Sequence, residues 1–593
     1  MLRFLLVSLN IDAILQETTI YRRRQRLSAM ADGLGLGEAY GATLDRVKGQ
    51  GEEKARLGMA TLMWILHSER PLKTNELCHA LGVEIGSPDL NTENIPSIGT
   101  LLACCQGLVT VNKEASTVGL IHFTLQEYLR CHPELFGRAH STIAEACLSY
   151  LNSQKIKTLS ARPFPDLQDT RFLEYSSLYW GMHAKKDLSD CAKLLALKLF
   201  DDYSNHISSK ILLGAQKQHF GIVDFNKVPL FSGLHSASFF GIVEIVANLT
   251  EVEGCDINQK DCLGNTPLVW ASHNGHEVAV KALLRRGDVD PDKPNNSRQT
   301  PLSCAASNGH ERVVKILLGR DDVDPNKPDN NDQTPLCRAA MYGHEGAVTI
   351  LLGRDDVDPN RPQLGGETPL SWAACRGHER VVEILLGRDD VDPNRPNDDG
   401  RTPLYRAAMN GHEGVVKILL GRDDVDPNKP KLGGETPLLW AAYMGHEEVV
   451  KILLRRGDVD PNKPELGGET PLSWAAYRGH EGVVKVLLGR EDVDPNKPEL
   501  GGETPLWWAA SKGHEEIVKT LLGRDDVNPQ KPNKSGLTPL QKAVENGHAG
   551  VVALLQPWVS ASADLLPRRH HPPYHLRILM NSARFPLGPP HLH

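Results

Sequence analysis

A Thr-Pro-Leu triplet recurs along the C-terminal half of this chain at a single spacing. Its threonine stands at Thr266, Thr300, Thr334, Thr368, Thr402, Thr436, Thr470, Thr504 and Thr538, 34 residues apart each time. A unit this short cannot bury an apolar face alone, so it must stack on copies of itself into a solenoid. The stretch from Leu466 to Leu488, L-G-G-E-T-P-L-S-W-A-A-Y-R-G-H-E-G-V-V-K-V-L-L, shows what one unit holds. Thr470 suits a helix N-cap, and Pro471 suits the first helical position, where a missing N–H costs nothing. Leu472, Ala475 and Ala476 share one face, and the two alanines keep it thin enough for a neighbour to pack closely. Gly479 ends that helix. A second helix starts at His480, with Glu481 in its first turn and Lys485 later, both favourable to the helix dipole. Val483, Val484, Leu487 and Leu488 form its buried stripe. Gly489 ends it, and D-V-D-P-N-K-P-E-L-G-G-E runs to the next threonine as a loop or hairpin.

A length of 593 residues suggests several domains. The net charge of -8 implies no strong attraction to nucleic acid or anionic membrane. Eleven scattered cysteines with no C-x-x-C pair point to a reducing compartment, and the expected location is the cytoplasm, with the nucleus open. The apolar segment Phe4 to Leu9 is too short and too interrupted for a signal peptide. It is expected to form a buried strand followed by a helix from Ile11. No run reaches the length of a membrane span.

From Leu57 the pattern tightens. L-G-M-A-T-L-M-W-I-L, R-P-L-K-T-N-E-L-C-H-A-L and I-P-S-I-G-T-L-L-A-C-C-Q-G-L predict three helices, and Val109 to Val111 with Val118 to Phe123 predict two short strands before another helix near Thr124. Helices followed by a two-stranded wing make a winged-helix pattern. The third helix carries no Lys or Arg between Ile95 and Leu108, so it lacks the phosphate contacts that dominate DNA affinity. Residues 135–228 predict further helices.

With these residues in view, T-P-L-x-x-A-A-x-x-G-H-x-x-V-V-x-x-L-L resembles the ankyrin-repeat signature over residues 229–556, with a turn lengthened by one residue. A degenerate further copy from Val228 would cap the stack. Residues 1 to about 230 resemble the part of fungal NACHT-type signalling NTPases (the STAND class) that follows the nucleotide-binding core. L-G-M-A-T-L-M-W-I-L-H-S-E-R-P-L, C-C-Q-G-L-V-T-V and L-I-H-F-T-L-Q-E-Y-L carry that resemblance, which is to the GPI inositol-deacylase type of winged helix. No deacylase activity is implied. No G-x-x-x-x-G-K-[ST] occurs, so nothing supplies a phosphate cradle. The first fifteen residues resemble the tail of a NACHT domain, which implies a remnant or a chain continued upstream. His122 matches the position at which related switches sense nucleotide.

The expected fold is mainly α. Residues 1–56 are a NACHT remnant and helical linker, 57–132 a winged helix, 133–228 a helical connector, 229–556 about ten ankyrin repeats and 557–593 a disordered tail. Several patterns imitate sites. Asp458, Asp460, Asn462 and Glu469, like Asp356, Asp358, Asn360 and Glu367, take EF-hand positions, but Lys463 and Arg361 stand where the calcium turn needs glycine. The histidines from His276 onward, one per repeat, are too far apart to share a zinc and are expected to be structural. Trp270, Trp372, Trp440, Trp474 and Trp508 share one position and are expected to pack between repeats. In the tail, Arg568, Arg569, His570 and His571 offer a metal-like or basic cluster in a segment expected to be disordered. No cofactor, metal or catalytic constellation emerges, and the chain is expected not to be an enzyme.

Function in a solenoid should lie where the copies differ. The pairs after Ala-Ala vary: Met341-Tyr342, Cys375-Arg376, Met409-Asn410, Tyr443-Met444, Tyr477-Arg478 and Ser511-Lys512. So do the hairpin tips, at Asp329 to Asp332, Gln363-Leu364, Asn397 to Asp399 and Lys431-Leu432. In ankyrin-repeat proteins these positions line the partner-facing groove. The expectation is a recognition protein or adaptor whose partner is another protein, with no nucleic acid, membrane or small-molecule substrate. It would be the sensor arm of an NLR-like signalling protein or, alternatively, the C-terminal part of a nucleotide-driven switch.

Overall fold

The computed structural model of the protein describes residues 18–25, 36–160, 170–216 and 230–563. The strand expected at Phe4 to Leu9, the helix from Ile11, the start of the first copy at Val228 and the Arg568–His571 cluster lie outside them. The chain divides into two compact units, Met1–Pro403 and Leu404–His593.

The first unit opens with α1 (Leu36–Lys48), α2 (Glu52–His67), α3 (Thr74–Leu81) and α4 (Ile98–Cys104), followed by β1 (Val109–Asn112), β2 (Thr117–Leu120) and α5 (Phe123–Arg130). The strands pair antiparallel with Val109 opposite Leu120 and Val111 opposite Val118, forming the expected wing. Leu62, Leu72, Leu77, Leu101, Cys105, Leu108, Leu125 and Leu129 fill the core beneath it. α2 and α4 approach so closely at Gly58 that a Cβ there would lie 2.7 Å from the Cys104 carbonyl oxygen, which explains a glycine inside a helix that otherwise disfavours one.

Five more α-helices follow among the described residues: α6 (Ala139–Asn152), α7 (Gln154–Ser160), α8 (Leu173–Lys186), α9 (Asp190–Phe200) and α10 (Ile207–Ala215). Packing runs on across residue 132, because Trp64 of α2 meets Phe172 edge-on at 5.6 Å and Phe172 meets Tyr150 at 5.2 Å. Further on, Trp180 packs against Phe240 at 5.3 Å and Phe231 against Trp270 at 5.9 Å. Aromatic side chains thus join winged helix, connector and first repeats into one core.

The degenerate first copy is folded as a repeat, with helices Gly233–Phe240 and Val243–Thr250. Every regular unit repeats the local logic of the sequence. In the unit at Thr470 the hydroxyl accepts from the Ser473 N–H at 3.2 Å, Pro471 opens the helix and Gly479 closes it in the left-handed region at φ 86°. The second helix runs Glu481–Leu488, with Val483, Val484 and Leu487 buried and Leu488 half-buried.

Side chains stitch each unit to the next. His480 Nε2 donates to the Tyr443 carbonyl at 2.9 Å, and the same bond recurs from His310 to His273 and from His514 to Tyr477. The histidines are structural, as expected. Asn462 donates to the Asp492 carbonyl at 2.5 Å and accepts from the Asp494 N–H at 2.8 Å. Arg490 pairs with Asp492 at 2.5 Å and donates to the Leu454 carbonyl at 2.6 Å. The last helix, Ala549–Ala563, carries through Pro557. Residues 557–563 are therefore helical, which corrects the expectation that a disordered tail begins at Pro557. A proline removes one helical hydrogen bond without forbidding the turns on either side.

Candidate protein-binding surface

Three successive hairpins in the second unit expose a leucine at the tip, and the next carries Lys534 there. Leu432, Leu466 and Leu500 are 76%, 76% and 65% exposed. Backbone bonds hold the tips side by side, from Leu466 N–H to the Gly433 carbonyl at 3.2 Å and from Leu500 N–H to the Gly467 carbonyl at 3.0 Å. The result is an apolar row at repeat spacing, built on backbone and not on flexible side chains.

Beside it the first helices carry an aromatic ladder. Trp440 lies 5.0 Å from Tyr443, Tyr443 lies 5.0 Å from Trp474, Trp474 lies 5.4 Å from Tyr477 and Tyr477 lies 5.0 Å from Trp508, all edge-to-face. This geometry sets the positive ring edge on a neighbouring ring's negative face. Two cations cap ring faces: Arg478 sits 4.7 Å over Tyr443 and Lys512 sits 4.6 Å over Tyr477.

The hairpin bases carry carboxyls. Glu435 pairs with Lys431 at 2.8 Å. Glu465 accepts from the Trp474 indole N–H at 2.9 Å and has Glu469 as a neighbour, while Glu499 neighbours both Glu469 and Glu503. Burial first, then the neighbouring carboxyls, push Glu465 up to about 7 and Glu499 up to about 8.

The variable pairs after Ala-Ala divide by position. The second member is exposed in each: Tyr342, Arg376, Asn410, Met444, Arg478 and Lys512. The first leans toward the neighbouring unit. Cys375, Met409, Tyr443 and Tyr477 are half-buried, and Met341 and Ser511 are buried, the latter with its carbonyl accepting from Asn546 at 2.7 Å. Arg338 lies 5.9 Å over Tyr342 and Arg376 lies 5.8 Å over Trp372, the same cation–ring pairing in the first unit.

The calcium-like loop spends its groups on structure. Asp458 is held by Arg456 at 2.6 Å, Asp460 accepts from the Asn462 N–H at 2.9 Å, and Asn462 is occupied by the next loop. In the other set Asp356 is held by Arg354 at 2.7 Å and Glu367 accepts from Asn397 at 2.7 Å. His122 caps α5, its Nδ1 taking the Thr124 N–H at 3.3 Å. Among the described residues no helix is long and apolar enough to cross a membrane.

The sequence reasoning named the tip at Lys431-Leu432 but missed its continuation at Leu466 and Leu500, and it missed the paired carboxyls. The signal for the row was present, as L-G-G recurring at repeat spacing. The carboxyls meet within a hairpin, as Glu465 and Glu469, and across 30 residues, as Glu469 and Glu499, and the second of these has no local signature.

Comparison with known families accords with the geometry. The model for ankyrin repeats in sets of three copies matches residues 234–329, 290–363, 336–431, 424–499 and 472–564. The model for the winged-helix domain of GPI inositol-deacylase matches residues 45–139, and the chain is similar to it there. No curated protein matches the sequence. The repeat matches run together over more than half of the chain and coincide with the helix pairs just described, so the chain belongs to the ankyrin-repeat family.

Proposed function

We propose that this protein is a non-enzymatic adaptor that recognises another protein through the hairpin tips and first helices of its repeats. The observation that carries this is the row Leu432, Leu466 and Leu500. Exposed apolar side chains aligned on rigid backbone mark an interaction surface. The adjoining ladder supplies tyrosine, tryptophan and arginine, the residue types that concentrate binding energy. The winged-helix similarity at residues 45–139, joined to the repeats through the helical connector, supports reading the array as the sensor arm of an NLR-like signalling protein.

The test is affinity capture with the full chain and with a Leu432→Asp/Leu466→Asp/Leu500→Asp variant of unchanged circular dichroism. The expected outcome is a partner that the variant loses. Identical capture by both chains would remove the tip row from the function.

The winged-helix similarity also favours a second reading, in which the chain is the C-terminal part of a nucleotide-driven switch. Nucleotide binding by a form extended upstream, and not by this chain, supports it. Binding by neither sinks it.

A further inference from the structure

Outside the repeats, four side chains with metal-ligand chemistry gather where the winged helix meets the connector. His67 ends α2, Glu69 follows it, His140 stands in the first turn of α6 and His183 in the last turn of α8. One donor atom each from Glu69, His140 and His183 lies within 4.8 Å of the other two. His140 Nδ1 and His183 Nδ1 face each other at 2.8 Å. The His67 ring stands edge-on to His140 at 5.1 Å.

We propose that Glu69, His140 and His183 form a binding site for a single divalent transition metal, with zinc the best fit to two imidazole nitrogens and one carboxylate oxygen. Three protein ligands from three elements, with a fourth position left open, is an established zinc arrangement. The second shell is in place. His183 Nε2 lies 3.0 Å from the Tyr175 hydroxyl, which itself accepts from the Glu69 N–H at 3.1 Å. That contact orients the buried ring with Nδ1 toward His140, as outer-shell partners of metal-bound histidines do.

One cation already competes. Lys186 pairs with Glu69 at 2.6 Å, and its side chain is 48% exposed. A divalent ion between the imidazoles displaces it from the carboxylate, and Lys186 has solvent to turn into. Metal binding then ties the end of α2 to α6 and α8, fastening winged helix to connector.

The experiment is titration of the chelator-stripped full chain with Co(II), followed by visible absorption and zinc competition. The expected result is one equivalent with tetrahedral bands that zinc abolishes. Glu69→Gln and His140→Ala, both at half-buried positions, weaken binding by at least about tenfold. Lys186→Met, which frees the carboxylate, tightens it by about tenfold, the scale of outer-shell effects. His570→Ala/His571→Ala leaves the bands unchanged, which separates this site from the histidine-rich C-terminal segment. His183 is fully buried and is left intact so that every variant folds. If the unaltered chain gives no bands, or if the bands persist in His140→Ala, the imidazoles are a hydrogen-bonded pair and the proposal is overturned.

Discussion

Asn533 donates its side-chain amide to Glu503 at 2.7 Å, and one repeat earlier the residue in Asn533's place is Glu499, facing Glu469. Amides serve this joint elsewhere, as between Asn295 and Asn265 at 3.0 Å or Asn397 and Glu367 at 2.7 Å. Two carboxyls can make the same bond only by holding a proton. Glu465 and Glu499 are raised from 4.5 to about 7 and about 8, so the folded array binds more protons than the unfolded chain between those values. Their contribution to stability is complete below pH 4.5 and is lost as pH rises through 7 and 8. Hydrogen exchange corrected for intrinsic rates should show protection over residues 460–510 falling from pH 6 to pH 9. Glu465→Gln/Glu499→Gln should flatten that slope. A slope unchanged in the variant would place the proton elsewhere.

Thr470→Ala removes the oxygen that takes the Ser473 N–H and should cost about 1 kcal/mol. Denaturant midpoints of the two chains measure it. Because each repeat touches only its neighbours, exchange should quicken most within the units flanking residue 470.

Gly445→Ala meets two obstacles at once. The residue sits at φ 82°, and an added Cβ would lie 2.6 Å from His480 Nδ1. The left-handed conformation alone costs a non-glycine residue about 1–3 kcal/mol. The contact also pushes His480 away from the Tyr443 carbonyl. A loss below about 0.5 kcal/mol in denaturant unfolding would show that the His480 bond gives way without consequence.

Single tip changes, Leu432→Ser, Leu466→Ser or Leu500→Ser, should move stability by no more than about 0.5 kcal/mol, since these side chains are already in water. Binding of a partner should weaken with each. Thermal unfolding beside a binding isotherm separates the two effects, and a large loss of stability would mean that the row packs more than it displays.

Much of this molecule was legible in its sequence because repetition amplifies weak local signals. The cap at Thr470, the stop at Gly479 and the stripe Val483, Val484 and Leu487 follow from helix chemistry alone. The wing was legible because Val109 to Val111 and Val118 onward alternate around a turn. Contacts between copies were not. Trp474 was expected to pack and Tyr443 and Tyr477 to face a partner, yet the three form one ladder, since rings 31 residues apart in the chain are neighbours across a repeat joint. Met341 and Ser511 are covered by the adjacent unit, which no pattern within their own helices records. The tail was placed from Pro557 on composition, which does not register that the helix from Ala549 carries on to Ala563. His140 and His183, 43 residues apart, share no motif.

The bond from His480 to the Tyr443 carbonyl spans 37 residues, three more than the period, and His514 repeats it to Tyr477. Remove one whole 34-residue unit and each surviving histidine still finds a carbonyl at the same offset. Insert one and the same holds. Unequal recombination between the near-identical copies at Thr436 and Thr470 would therefore lengthen or shorten the array without breaking a joint. The stitching makes the array's extent a quantity that a lineage can adjust in whole steps, as rungs are added to a ladder already standing.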